Sequence, residues 1–250
     1  MTALVTGASG GLGRELAESL AAAGHDVAVH FRGDAEGAHE TVRRVRAAGV
    51  RAYAARCDLA LTDPAALDDA CAGLLDEAVD ALGPLDVVVL NAFPQEVTPW
   101  ADLDTAAWDR VLDGGLRPTA ALIRAAGRRL RRGGAIVTVG SIEGFRAAPG
   151  HTAYAVAKAA LHHLSAAAAY ELGPAGVRVV GVAPGLIDRP GLAQEWPEGV
   201  DRWRRASALG RPVTAAEVAR VVTFLASPAA SGVTGVVVPV DAGWSAAPAW

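Results

Sequence analysis

Thr2-Ala3-Leu4-Val5-Thr6-Gly7-Ala8-Ser9-Gly10-Gly11-Leu12-Gly13 opens the chain with a short apolar run, a glycine-rich turn and an amphipathic pattern that continues through Ala23. Strand, glycine turn, helix is the order a phosphate cradle requires. Gly7 would permit the tight turn, Gly11 would let the backbone approach a pyrophosphate, and Gly13 would let helix and strand pack closely. A purely structural turn explains a lone glycine cluster about as well, so the rest of the chain must decide.

Outward from that turn, apolar runs alternate with amphipathic helical patterns: Val27 to Phe31, Arg51 to Arg56, Asp86 to Leu90, Ala135 to Val139, Val177 to Val182 and Val236 to Val240. Gly24, Gly49, Gly83, the Gly133-Gly134 pair and Gly173 stand where left-handed helix ends belong. Helix starts are marked by Asp63-Pro64, an N-cap followed by proline, and by Thr214-Ala-Ala-Glu217, which has capping-box spacing. This order predicts one α/β domain over residues 1–250: a doubly wound parallel sheet of about seven strands with helices on both faces. Ligands of such sheets sit at the carboxyl ends of the strands. Arg32, Asp58, Asn91, Ser141 and Pro184-Gly185 all fall there.

Composition narrows the function classes. The chain has 250 residues, 52% of them hydrophobic, enough for a large core. A net charge of -4 gives no basic field for nucleic acid. Arg128, Arg129, Arg131 and Arg132 cluster where a predicted helix ends and complement its dipole. Cys57 and Cys71 suit neither a disulfide framework nor a zinc site, which points to a reduced, cytoplasmic protein. No apolar run approaches the roughly 18 residues that span a bilayer, so no membrane association is expected. No candidate metal site stands out.

Tyr154-Ala-Val-Ala-Lys158 places a phenol and an ammonium four residues apart, on one face of a helix. A nearby cation favours phenolate, which suits a tyrosine that exchanges protons. Taken alone, such a pair is usually a solvated helix face.

With these motifs together the chain resembles the short-chain dehydrogenase/reductase family, ketoreductases in particular, over essentially its whole length. The resemblance rests on Thr6-Gly7-Ala8-Ser9-Gly10-Gly11-Leu12-Gly13, Cys57-Asp58-Leu59, Ser141 with Tyr154 and Lys158, Pro184-Gly185, and Leu209-Gly-Arg-Pro through Val240-Asp-Ala-Gly-Trp244. It implies a Rossmann-type fold and an oxidoreductase acting on a small carbonyl or alcohol. Ser141 would hydrogen-bond the substrate oxygen, Tyr154 would exchange its proton, and Lys158 would hold the nicotinamide ribose while lowering the tyrosine pKa. Gly7, Ser9, Gly11, Leu12, Gly13, Asp58, Leu59, Asn91, Ala92, Tyr154, Lys158, Pro184, Gly185 and Ile187 would line the cofactor, Asn91 beside the adenosine ribose and Asp58 at the adenine. Phe31 stands where NAD-preferring members carry an acid, and Arg32 follows it. A cation without a carboxylate suits a 2′-phosphate, so NADP(H) is favoured over NAD(H), although Arg32 projecting into solvent is the alternative.

Three departures from the family pattern bear on the site. Gly115 occupies the position of an asparagine that relays protons to the lysine, and Gly114-Gly115 with Pro118 predicts a local kink. Phe93 replaces the usual glycine at the cleft mouth, as either a core aromatic or a substrate contact. Arg189 replaces a threonine and could meet phosphate or a substrate carboxylate, or be merely exposed. Residues 186–208, with Trp196 and Trp203, match a substrate lid, and Glu143, Arg146 and His151 would border the same pocket. The Tyr154 helix, with Ala166-Ala-Ala-Ala169, suits the dimer or tetramer contacts common in the family, and equally intramolecular packing. Because of Gly115, a cofactor-binding protein with little redox turnover is the competing reading.

Overall fold

Runs rich in valine and alanine, buried on both faces, build the centre of the structure. The computed structural model describes residues 1–246. In chain order the elements are β1 Thr2–Val5, α1 Gly11–Ala22, β2 Asp26–Phe31, α2 Ala35–Ala47, β3 Ala52–Arg56, α3 Pro64–Leu82, β4 Val87–Leu90, α4 Thr105–Val111, α5 Arg117–Gly127, β5 Ala135–Val139 and α6 Thr152–Leu172. They continue with β6 Arg178–Pro184, β7 Ile187–Asp188, α7 Leu192–Glu195, α8 Pro197–Ala206, β8 Val213–Thr214, α9 Ala215–Ala226 and β9 Val237–Val240.

Seven strands form one sheet in the order β3-β2-β1-β4-β5-β6-β9, every pair parallel. This is the doubly wound sheet expected from the sequence. Because side chains alternate along a strand, Val5, Val29, Val89, Val137 and Val180 face one core, shared with α1, α2 and α9. Leu4, Ala28, Val88, Ile136 and Val179 face the other, shared with α3, α5 and α6. Strand order reverses between β1 and β4, and the crevice at that switch point is where such sheets bind ligands. β7 and β8 pair separately as a two-stranded parallel ribbon (Ile187 with Val213, Asp188 with Thr214), which the sequence reading did not anticipate.

The helix punctuation is largely as expected. Gly24, Gly49, Gly83 and Gly133 have φ of 87°, 84°, 94° and 92°. Gly173 caps α6 without turning left-handed: its φ is -53°, Pro174 carries the chain into a short 3-10 turn, and Gly176 takes the left-handed position at φ 76°. Asp63 Oδ1 accepts from Ala66 N–H at the start of α3, and Thr214 and Glu217 form a complete capping box. The kink predicted around Gly114-Gly115 is a π-helical turn over Leu112–Leu116, between α4 and α5.

Candidate active site

The glycine turn connects β1 to α1 in a conformation that needs its glycines. Gly7 and Gly11 have φ of 63° and 53°. A Cβ on Gly13 would lie 2.9 Å from Ala8 Cα and 2.9 Å from Asn91 Nδ2, and nearer still to the Gly7 carbonyl oxygen. Gly10 is the N-cap of α1 and supplies no side-chain acceptor, so the first N–H groups of the helix are left for an anion. Arg14 braces the loop, its guanidinium donating to the carbonyls of Ser9 (2.7 Å) and Gly37 (3.2 Å). Asn91 Nδ2 donates to the carbonyls of Thr6 (3.0 Å) and Gly7 (3.1 Å). Its amide N–H groups therefore hold the turn.

His30 was passed over as a strand-interior residue, yet it clasps this turn. Gly7 N–H donates to His30 Nδ1 (3.1 Å), so the ring proton sits on Nε2 and is donated to the Cys57 carbonyl (3.1 Å). Burial of the ring holds its pKa below the usual histidine value.

A cleft of about 890 Å3 runs over the switch point. Gly7, Ser9, Leu12, Gly13, Arg32, Leu59, Asn91, Ala92 and Phe93 line it. Arg32 is exposed and makes no ion pair among the described residues. The neighbouring Asp34 is taken up capping α2, accepting from Gly37 N–H at 2.9 Å. Asp58 lies outside the lining and is exposed, with Oδ1 accepting from Ala60 N–H (2.9 Å). The positive-φ glycines, the uncapped helix start and the free guanidinium suit a dinucleotide, the pyrophosphate at Gly10 to Gly13 and the adenosine end by Arg32 and Leu59.

Ser141, Tyr154 and Lys158 do not line that cleft; they lie beyond Phe93, which touches two of them. Ser141 follows β5; its Oγ accepts from Glu143 N–H (3.1 Å), and its hydroxyl hydrogen-bonds Tyr154. Tyr154 and Lys158 come from the first turns of α6 and are both buried. Lys158 is only 2% exposed, donates to the Val139 carbonyl (2.7 Å), and stands 5.4 Å from the Tyr154 ring centre. It is also the single lysine of the chain.

Burial dominates the charges here. It pushes the Tyr154 phenol up to about 12, with the Ser141 hydroxyl partly offsetting it and the Glu143 carboxylate adding to it. Burial brings the Lys158 ammonium down to about 7, against the opposing pull of Glu143. In the protein by itself burial outweighs any help from Lys158, and the phenol is raised rather than lowered. At neutral pH Tyr154 is a protonated acid.

The residues expected to border a substrate separate into two groups. His151 Nδ1 is bound by both Glu143 oxygens (2.8 and 3.0 Å), and its ring meets Tyr154 edge-on at 6.3 Å. Trp203 packs on Gly185 and stacks on Trp244, ring centres 5.3 Å apart and planes within 2°. Arg146 stands 5.8 Å over the Trp244 ring. Pro184 ends β6 and Ile187 begins β7, so the Pro184-Gly185 loop lies between the sheet and this tryptophan pair. Trp244 was not a candidate; Asp241 sets it there, accepting from Gly243 N–H (2.9 Å) and Ser245 N–H (2.7 Å). Arg189 and Trp196 are not brought to the site. Arg189 pairs with Glu195 on the surface, and Trp196 packs on Gly199 with 45% of its surface exposed.

His162, one helical turn beyond Lys158, faces the Ser141 N–H at 3.5 Å and packs tilted against Phe145, ring centres 4.4 Å apart. Burial, helped by Lys158, lowers its pKa to about 4. His25 and His30 are lowered too, chiefly by burial. A base whose folded pKa is depressed stabilises the fold above its unfolded pKa, near 6.5, and loses that contribution as pH falls towards the folded value. The melting temperature is therefore expected to drop between pH 6.5 and pH 4. His162→Gln, which does not titrate, should reduce that drop by a few degrees in a calorimetric pH series.

Comparison with known proteins agrees with this geometry. A family model described as enoyl-(acyl carrier protein) reductase matches residues 7–245. The chain is 39% identical over 249 residues to the cis-4-hydroxycyclohexanecarboxylate dehydrogenase of Sinomonas cyclohexanicum, covering 98% of this chain and 96% of that protein. It is 33% identical to the 3-oxoacyl-acyl-carrier-protein reductase of Staphylococcus aureus, covering 97% of each. A short-chain dehydrogenase from Burkholderia cenocepacia, solved in complex with NADP, superimposes with a TM-score of 0.88 at 34% identity, covering 97% of each chain. The protein belongs to the short-chain dehydrogenase/reductase family and is ketoreductase-like. These oxidoreductase relatives give no support to the redox-silent reading prompted by Gly115. Among the described residues no helix is long and apolar enough to cross a membrane.

Proposed function

We propose that the protein is an NADPH-dependent reductase of a cyclic ketone, able to run as the corresponding alcohol dehydrogenase. The observation that carries this reading is the buried cluster of Ser141, Tyr154 and Lys158 beside the glycine-turn cleft. A bound nicotinamide supplies the hydride. Ser141, its Oγ held by the Glu143 N–H, turns its proton from Tyr154 to the carbonyl oxygen as charge develops there. Tyr154, held protonated, gives that oxygen its proton. Lys158 aligns the tyrosine, and the N–H groups that the Val139 carbonyl leaves over would hold the nicotinamide ribose.

A ring-shaped substrate is favoured by the stacked Trp203–Trp244 pair, with Arg146 beside it for an anionic substituent. The name of the 39% identical relative, which describes a hydroxylated cyclohexane carboxylate, points the same way. Residues 186–208 act as a lid in this reading, and the protein works as a cytoplasmic homodimer or homotetramer. Gel filtration with light scattering that gives a monomer at micromolar concentration would refute the assembly.

Arg32 is proposed to read the 2′-phosphate. Hydrogen bonds to charged groups contribute about 1.5–3 kcal/mol, so Arg32→Ala should weaken NADPH binding by about 10- to 100-fold and leave NADH binding nearly unchanged. Titration by nicotinamide fluorescence measures both. Equal affinities for the two nucleotides in the intact protein would overturn the cofactor assignment.

A further inference from the structure

Phe93 follows β4, and the sequence treats it and Gly115 as separate oddities. In the structure they fit each other. A methyl group on Gly115 would lie 2.6, 2.6 and 2.8 Å from Cε1, Cζ and Cε2 of the Phe93 ring, so the ring fills the space a side chain at 115 would take. Pro94 sits in the same way on Gly114, 3.1 Å from an added Cβ. The π-helical turn that carries the two glycines is tied back by Thr119, whose hydroxyl donates to the Gly115 carbonyl (2.7 Å). The opposite partner of the ring is Lys158: Nζ stands 3.7 Å from the ring centre, closer than to any other aromatic ring, while the ring meets Tyr154 edge-on at 5.8 Å.

We propose that Phe93, seated on Gly115, is a positioning residue that seals Lys158 from water and holds its Nζ between the aromatic face and the Val139 carbonyl. This rests on reading Lys158 as part of the reaction centre. Phe93 is then no substrate contact. The face of the ring attracts a cation, the backbone carbonyl takes one N–H, and the surrounding apolar contacts exclude solvent. Exclusion of solvent is also what pushes the lysine pKa down to about 7. The titratable groups that face Lys158 are Glu143, which raises its pKa, and Tyr154 and His162 on its own helix. Gly115 matters because any larger residue would drive the ring off the lysine.

Lys158 is the single lysine, so its reactivity can be read without interference. The experiment is trace labelling with acetic anhydride across a pH series, quantified by mass spectrometry on the peptide bearing Lys158, with the N-terminal amine as internal reference. In Phe93→Ala the limiting labelling rate is expected to rise about tenfold or more as the seal opens. The labelling midpoint should move up by about one pH unit as water reaches the ammonium. Phe93→Leu, which fills part of the space without an aromatic face, should fall between the two. Gly115→Ala should act in the same direction as Phe93→Ala, and the double substitution should add little to Phe93→Ala alone.

Labelling rate and midpoint that stay at the intact values in both Phe93→Ala and Phe93→Leu would overturn the proposal. So would full additivity of the Phe93→Ala and Gly115→Ala effects. Labelling does not depend on turnover. A protein that labels as expected but reduces no ketone keeps the positioning role and refutes the reductase reading.

Discussion

Tyr154→Phe is expected to lower kcat for ketone reduction by about 10²- to 10⁴-fold, the usual contribution of a positioned acid. NADPH affinity should stay within about a factor of two, because the hydroxyl is the only group removed. The ring is 9% exposed and packs edge-on against both Phe93 and His151, so phenylalanine keeps these contacts and the fold. The phenol, pushed up to about 12 by burial, stands protonated across the neutral range and is ready to donate. The reverse reaction needs phenolate. Alcohol oxidation by the intact protein should therefore rise with pH while ketone reduction stays level through neutrality. A Tyr154→Phe protein with kcat near the intact value would remove the tyrosine from the chemistry.

Gly13→Ala is expected to abolish detectable NADPH binding and to cost roughly 3 kcal/mol of stability, at the upper end for overpacking. The clash is with backbone: the Gly7 carbonyl and Ala8 Cα belong to the tight turn itself, and neither can rotate away as a flexible side chain would. Relief must come by displacing α1 from β1 or by opening the turn, and either ends the cradle. The control is Gly73→Ala, inside α3 and away from the cleft. Nothing lies within 4 Å of a Cβ there, and alanine is a better helix former than glycine. Thermal unfolding and fluorescence titration of both variants separate the cases. Normal NADPH binding by Gly13→Ala would mean that the turn is not a phosphate cradle.

Much of this fold was legible because valine-rich runs and C-terminal glycines repeat a simple grammar. Each of the seven sheet strands lies within about two residues of its expected limits. The misses have local causes. Gly173 does cap α6, but not in the left-handed form expected of it, because Pro174 carries the chain through a further 3-10 turn and the reversal comes at Gly176. β7 and β8 are two residues long and have no periodicity to read. At the site, Ser141, Tyr154 and Lys158 stand close together, and burial rather than their spacing sets their electrostatics. Spacing alone shows that a lysine can approach a tyrosine; only burial shows that both are driven towards their neutral forms. His30 was hidden because its place in an apolar strand looks like any inward position, and its partners, Gly7 and Cys57, are each more than 20 residues away. The fit of Phe93 to Gly115 was hidden in the same way, since two departures on different elements reveal their complementarity only when packed.

The most direct test of the central claim is a single turnover with NADPH carrying deuterium at the transferable C4 position, the intact protein in excess and a cyclohexanone carboxylate as substrate. The account predicts that the deuterium appears on the carbinol carbon of the product alcohol, one per NADPH oxidised, and that Tyr154→Phe binds the same cofactor but transfers the label far more slowly. Firm cofactor binding with the label left on the nicotinamide, across a panel of cyclic and acyclic ketones, would contradict it.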